Sequence, residues 1–278
     1  MRTVVITGGT DGLGKGLALH YLRHGARVIA VGSTPAKGAA LRAEAAAESA
    51  ADRATFLQAD LTSVAATREL VARIQSASPT VDQLVLCAQR YRLFGPRSVT
   101  PEGFEHAFAL GYLSRYVLSH GLRTALEGAP RPVILNVGTP GVPLGRLHWD
   151  DLQLERRYGG FKATLQAFRA NDLLGAAYPS RYPNTPVRYV GYHPGVVSTG
   201  MPHHLPPPWR ALTRATFAVL ATSVPKAVAP MTHLLDEPPA DAFSAYQRKR
   251  RLAVTGRAFD EAAAARLHEV TRELIGAG

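Results

Sequence analysis

Cysteine is nearly absent, with a single thiol, Cys87, in 278 residues. One cysteine excludes an internal disulfide framework and a four-thiolate metal site. Long apolar runs are missing too: none approaches the roughly 18 residues that a spanning helix needs. The apolar start at residues 3–7 runs straight into glycines and is too short for a signal peptide. These absences predict a soluble, cytoplasmic chain with no membrane span. Acidic residues are the scarcer charge, 21 against 32 Lys and Arg, which leaves a net +11. Such an excess favours anionic partners, a phosphate-bearing cofactor or an acidic substrate among them. The one dense basic run, Arg248 to Arg251, comes without any helix-turn-helix, zinc-finger or RNA-recognition signature. It reads as a solvated turn, and nucleic acid is not expected. With no His-Cys-Asp cluster, the adjacent Asp150 and Asp151 read as capping or solvated carboxylates, and no metal is expected.

What is present is a chain that is 46% hydrophobic, long enough to bury a sizeable core. Short β-branched runs at residues 3–7, 27–31, 55–58, 83–87, 133–137 and 187–192 read as buried strands. Helical patterns lie between them at 12–24, 36–50, 63–76, 103–126 and 161–178. Such alternation predicts one α/β domain over residues 1–278, a doubly wound parallel sheet of Rossmann type with helices on both faces. The Pro-rich stretch 202–208 falls late and reads as a loop inside that domain. It sits in a substrate-lid segment at about 200–225, where Leu205, Trp209, Phe217 and Val219 offer apolar surface.

The turn Thr7-Gly8-Gly9-Thr10-Asp11-Gly12-Leu13-Gly14 follows the first strand and opens the first helix. Glycines there let the backbone approach a pyrophosphate, and the helix N-terminus supplies amide donors and a favourable dipole. Dinucleotide binding follows, through Gly8, Thr10, Asp11, Gly12, Leu13 and Gly14. At the end of the second strand stand Ser33 and Thr34, with no carboxylate to repel a 2′-phosphate. Lys15, Ser33, Thr34 and Lys37 are candidate donors to it, so NADP is expected over NAD.

The TGxxxGxG spacing resembles that of the short-chain dehydrogenase/reductase superfamily, and further matches run along nearly the whole chain. Asp60-Leu61 resembles the family's adenine-contacting pair, and Cys87-Ala88-Gln89 lies where the family has Asn-Ala-Gly. Pro194, Gly195, Val196 and Thr199 resemble the loop that holds the nicotinamide amide. Residues 145–153, GRLHWDDLQ, look like the branch of retinol dehydrogenases and protochlorophyllide reductases.

The resemblance implies a relay of Asn, Ser, Tyr and Lys, and this chain departs from it. Gly111 stands where the asparagine belongs and Thr139 where the serine belongs. Tyr158-Gly159-Gly160-Phe161-Lys162 satisfies YxxxK literally, with two glycines between the pair that disfavour a rigid helical turn. A second register puts Leu165 at the tyrosine and Arg169 at the lysine, and both registers stay open at this level. Thr139, Tyr158 and Lys162 are the catalytic candidates. Tyr112, His193, His203 and His204 are weaker ones, read mainly as packing or loop residues. The reaction implied is hydride transfer between NADP(H) and a carbonyl or enone, the substrate being a small, apolar molecule. The alternatives are a non-redox isomerase, dehydratase or cyclase on the same fold, or a non-catalytic NADP-binding protein. An oligomer is compatible with all of these.

Overall fold

In the computed structural model, residues 1–195 and 223–276 are described. Eight strands form one sheet in the order β3-β2-β1-β4-β5-β6-β7-β8. They are β1 (Thr3–Thr7), β2 (Arg27–Gly32), β3 (Ala54–Gln58), β4 (Gln83–Leu86), β5 (Val133–Val137), β6 (Arg188–His193), β7 (Phe243–Gln247) and β8 (Arg250–Leu252). All neighbours pair parallel except β8, which returns antiparallel on β7. The central strands are buried on both faces, which is why β1, β4 and β5 are mainly apolar without alternation.

The helices α1 (Gly12–Arg23), α2 (Pro35–Ala47) and α3 (Val64–Ala77) follow the first three strands. Where the sequence predicts one helix over 103–126, the chain forms α4 (His106–Phe108), a π-helical turn (Ala109–Leu113), α5 (Ser114–Gly121) and α6 (Arg123–Glu127). A long α7 (Gly160–Arg181) crosses from β5 to β6. The last helices, α8 (Val224–Asp236) and α9 (Glu261–Leu274), were not foreseen, nor were β7 and β8. One core lies between the sheet and α1 with α8, and the other between the sheet and α3, α5, α7 and α9. Among the described residues no helix is long and apolar enough to cross a membrane.

The two glycines that argue against a helix at residue 160 turn out to start one. A Cβ at Gly160 would lie 1.9 Å from the carbonyl oxygen of Arg92, so only glycine lets α7 begin against the loop after β4. Gly159 is the extended cap residue, which leaves Tyr158 outside the helix.

The second core carries an aromatic and histidine cluster that fixes α9. Tyr112 shares a hydrogen bond with Thr271 at 2.7 Å, and Tyr116 one with His268 at 3.1 Å. The ring of His120 lies 5.2 Å from that of His268, and its Nδ1 meets the Tyr182 hydroxyl at 2.9 Å. The Nε2 atoms of both histidines are buried without a partner. Burial first, then the neighbouring His268, Arg181 and Arg123, pushes His120 down to about 3. His268 is also lowered, chiefly by burial.

The unfolded chain therefore takes up a proton on His120 near its ordinary pKa of about 6.5 while the folded chain does not. Stability is fully present above that value and falls as pH drops toward about 3. We expect the melting temperature to fall with acidification, this residue alone contributing roughly 1.4 kcal/mol per pH unit across that window. His120→Phe should flatten the acid limb in a thermal-melt series across pH, and an unchanged slope would refute the assignment.

Candidate functional site

A doubly wound sheet opens a crevice where neighbouring strands send their connections to opposite faces, beyond their C-terminal ends. Here that point lies between β1 and β4, and both strand ends are tied together. The Thr7 hydroxyl accepts from the Ala88 amide at 3.2 Å and donates to the Val85 carbonyl at 3.4 Å. Gly8 has a left-handed φ of 66°, and a Cβ there would sit 3.1 Å from Ala88. A Cβ on Gly14 would lie 2.3 Å from the Gly8 carbonyl oxygen. The turn is thus folded back on itself with the amides of α1 facing the crevice, the geometry that accepts a pyrophosphate.

The flank that would meet a ribose phosphate is polar and exposed. Asp11 caps α1 by accepting from the Gly12 amide at 2.8 Å, and its carboxylate also takes Lys37. Lys37 holds that carboxyl below the usual range. Lys15 pairs with Glu44 at 2.6 Å. The hydroxyls of Ser33 and Thr34 are exposed and bond no described residue. Asp60 accepts from the amide and hydroxyl of Thr62, at 2.9 and 2.8 Å, and opens the turn into α3. Leu61 is buried in the core, so only its backbone is left to face an adenine. The residues present fit a dinucleotide.

Deeper in, the crevice floor is built around Arg115 on α5, only 2% exposed. Its guanidinium donates to the Val137 carbonyl at 2.7 Å, to the Ala88 carbonyl and Gln89 Oε1 at 3.2 Å each, and to Asn136 Oδ1. No carboxylate neutralises it among the described residues, and its Nε has no partner. Asn136 is held on its other side by Asn171 and the Tyr189 hydroxyl. Burial pushes the neighbouring Cys87 thiol up to about 12, although Arg115 pulls the other way.

At the position where the family resemblance implies an asparagine, Gly111 sits in the π-helical turn. A Cβ there would meet Ala167 Cβ at 3.2 Å and the amide of Gln89 at 3.4 Å. A side chain there would have to displace its neighbours, and the primary amide beside that spot belongs to Gln89.

The structure does not bring Tyr158 and Lys162 together. Tyr158 precedes α7, packs with Ala107, Leu154 and Ala163, and places its hydroxyl 3.4 Å from Glu105 Oε1. Burial raises its pKa, and the Glu105 carboxylate beside it raises it further by opposing the phenolate that a proton relay must form. Lys162 donates to the Arg157 carbonyl at 2.7 Å. The spacing rule fails because Tyr158 lies beyond the helix that carries Lys162, so four residues do not make one helical turn.

The second register is corrected as well. Arg169 is spent on the loop after β5, donating to Gly145 O at 2.9 Å, to Val142 O at 2.8 Å and to Asp172 at 3.3 Å. Asp172 in turn accepts from the Gly141 amide at 3.1 Å. The residues of α7 that face the strand ends lie one position earlier. Phe168 reaches to 3.8 Å from a Cβ built on Gly138, and the Thr164 hydroxyl returns to Gly160 O at 2.9 Å. Thr139 stands at the end of β5 as expected, half-buried, beside Phe168 and Asn171 across a narrow gap. Its hydroxyl bonds no described residue.

Beyond β6, Gly195 takes a φ of 80° and lies under Arg248, whose Nε would be 2.4 Å from a Cβ there. Part of the run expected to be a solvated turn is thus folded over the Pro194-Gly195 loop. Arg251 pairs with Asp241 at 2.6 Å. Val196 and Thr199 fall outside the described residues, as do His203, His204 and all but the end of the expected lid. Tyr112 is committed to Thr271, and burial lowers His193. Among the described residues no group of three His, Cys, Asp or Glu side chains gathers to hold a metal. Sequence reasoning missed Arg115, Phe168 and Arg248. Only the unusual arginine amid the apolar residues of α5 could have signalled the first.

The model of the short chain dehydrogenase family matches residues 2–207. A protein of Streptomyces sp. strain C5, provisionally named daunorubicin C-13 ketoreductase DnrU, is 30% identical over 99% of this chain and 93% of its own length. Human retinol dehydrogenase 13 is 28% identical over 99% of this chain and 85% of its own. Among solved structures, the NADPH-bound carbonyl reductase from chicken fatty liver superposes with a TM-score of 0.68 at 18% identity, covering 91% of this chain and 99% of that one. An NADP complex of a short chain dehydrogenase from Burkholderia cenocepacia J2315 gives 0.67 at 18% identity, over 88% and 95%. With its glycine turn, sheet order and crevice in place, this chain is a member of the short-chain dehydrogenase/reductase family of oxidoreductases, on the branch that includes the retinol dehydrogenases.

Proposed function

We propose that this oxidoreductase is an NADPH-dependent reductase of an apolar carbonyl or enone. The observation that carries the reading is an intact glycine turn, with a flank lined by hydroxyls and ion-paired lysines, opening onto a free hydroxyl at Thr139. The amides of residues 12–14 receive the pyrophosphate, while Ser33, Thr34 and Lys37 receive the 2′-phosphate. Lys37 reaches that phosphate by exchanging Asp11 for a more strongly charged partner. Asp60 and the Leu61 backbone border the adenine, Ala88 and Gln89 the ribose, and Pro194 and Gly195 the nicotinamide amide. Support for the cofactor also comes from the NADPH- and NADP-bound neighbours of the same fold. NADPH, when bound, supplies the hydride. Thr139 donates a hydrogen bond to the substrate oxygen and stabilises the charge that develops there.

The mouth of the crevice favours an apolar substrate. Phe94, Leu144 and Phe161, on the loops after β4 and β5 and at the start of α7, are 75%, 71% and 56% exposed. Aromatic and aliphatic surface of this kind at a rim is what an apolar ligand covers. The ketoreductase and retinol dehydrogenase names of the relatives agree with a carbonyl of that character.

A second reading rests on Phe168. An apolar ring, not a cation, faces the strand ends from α7, which favours chemistry without net redox change or binding without turnover.

One measurement separates these readings, and a second tests the cofactor contact. Oxidation of NADPH in the presence of a panel of aromatic and polycyclic ketones is the expected outcome. Product without net NADPH change would select the non-redox catalyst, and NADPH binding without any product the non-catalytic protein. Lys37→Ala should weaken NADPH about tenfold or more, the loss of one charge-assisted contact, and leave NADH affinity nearly unchanged. Equal effects on both nucleotides in a fluorescence titration would remove Lys37 from the 2′-phosphate.

A further inference from the structure

We propose that Tyr91 is the hydroxyl that donates the proton to the substrate oxygen, with the buried guanidinium of Arg115 as the positioning cation behind it. The inference rests on the reductase reading above and deepens it. Three observations on the same wall of the crevice lead to it.

The first is position. Tyr91 lies on the loop that leaves β4, two residues beyond Gln89, and its ring packs edge-on against Phe168 with centroids 6.2 Å apart. Phe168 is the α7 residue that reaches Gly138, and Thr139 is the next residue. Tyr91 and Thr139 therefore both neighbour one aromatic ring, on the loops that leave adjacent strands β4 and β5.

The second is availability. On this side of the sheet, Tyr112 is bonded to Thr271, Tyr158 to Glu105 and Tyr189 to Asn136. Tyr192 packs into the opposite core with α1 and α8. The hydroxyl of Tyr91 bonds no described residue, so it is free to meet a substrate.

The third is charge. Arg115 is a fully buried guanidinium with no carboxylate among the described residues, and its Nη1 lies 3.7 Å from a Cβ built on Gly138. Its field reaches Tyr91, where burial raises the phenol and Arg115 opposes that rise. Neither Lys162 nor Arg169 is available for that task, since each is bound to backbone carbonyls elsewhere. A nearby cation favours the phenolate that must form when the proton leaves.

The step balances. The carbonyl carbon gains the hydride that NADPH supplies, and the C=O π pair moves onto oxygen. The Tyr91 O–H bond breaks as the new O–H bond forms, and solvent reprotonates the phenolate. Thr139 keeps its own proton and orients the oxygen.

The test uses the full chain. Tyr91→Phe should lower kcat for NADPH-dependent ketone reduction at least about a hundredfold, the ordinary worth of a general acid, with NADPH affinity unchanged. In fluorotyrosine-labelled protein, the resonance lost in Tyr91→Phe should shift when NADP⁺ is added. Its titration should move to higher pH in Arg115→Gln and return toward wild type in Arg115→Lys. The high-pH limb of the kcat profile should move with it. Unimpaired turnover by Tyr91→Phe overturns the assignment, as does a loss confined to Tyr158→Phe or a Tyr91 resonance indifferent to NADP⁺. If Arg115→Gln does not fold, the Tyr91→Phe comparison and the NADP⁺ shift still decide. A wild-type protein that oxidises NADPH with no ketone fails differently, since that removes the reductase reading itself.

Discussion

The buried guanidinium of Arg115 is the constraint on which the crevice depends. A cation taken out of water is expensive, by several kcal/mol even after relaxation, and it persists only where its hydrogen bonds are met. Here those of its two terminal nitrogens are met by the ends of two strands. The Ala88 carbonyl and the Gln89 side chain come from the end of β4, and the Val137 carbonyl and the Asn136 side chain from β5. Removing the charge would orphan these acceptors together, so the loops that frame the floor are set by one side chain. The same requirement explains the web behind it, in which Asn136 reaches Asn171 and Tyr189 and Asn171 reaches the Gly111 carbonyl.

The upper half of the site obeys a different rule. Around the glycine turn the determining quantity is space, not charge. Gly8 and Gly14 must lack a Cβ because the turn closes on Ala88 and on its own carbonyl. The backbone amides that such a turn presents do not depend on side-chain identity. This is why the glycine turn of the family pattern persists while Cys87 and Gln89 depart from it. Proton transfer, by contrast, needs one hydroxyl and one cation at fixed places. Those can be supplied from another element, provided it ends at the same crevice.

The positions of the family's relay are filled differently here. Gly111 admits Ala167 and the Gln89 amide, Phe168 faces the strand ends, and Arg169 is turned away to hold the loop at Val142 and Gly145. The buried cation at the strand ends is on α5, beneath the crevice, and not on α7. An arginine suits that place, since its planar fork satisfies several carbonyls at once and it keeps its charge. Lysine would satisfy fewer of them.

Sequence by itself determined the sheet through β6, the glycine turn, the lack of a carboxylate at the end of β2 and the place of Thr139. These are local properties: apolar runs, glycine spacing and residues at strand ends report on themselves. It left β7, β8, α8 and α9 unread: β7 and β8 are short and only partly buried, whereas α8 and α9, of 13 and 14 residues, carry apolar faces that could have marked them. Tertiary structure alone decided the relay. Whether Tyr158 shares a face with Lys162 depends on where α7 begins, and that is fixed by contact between Gly160 and the Arg92 carbonyl, 68 residues earlier in the chain. Which α7 residue faces the strand ends depends on how the helix is rolled against β5. The partners of Arg115 lie 21 to 27 residues away. A pattern four residues wide cannot carry that information; packing across the sheet can.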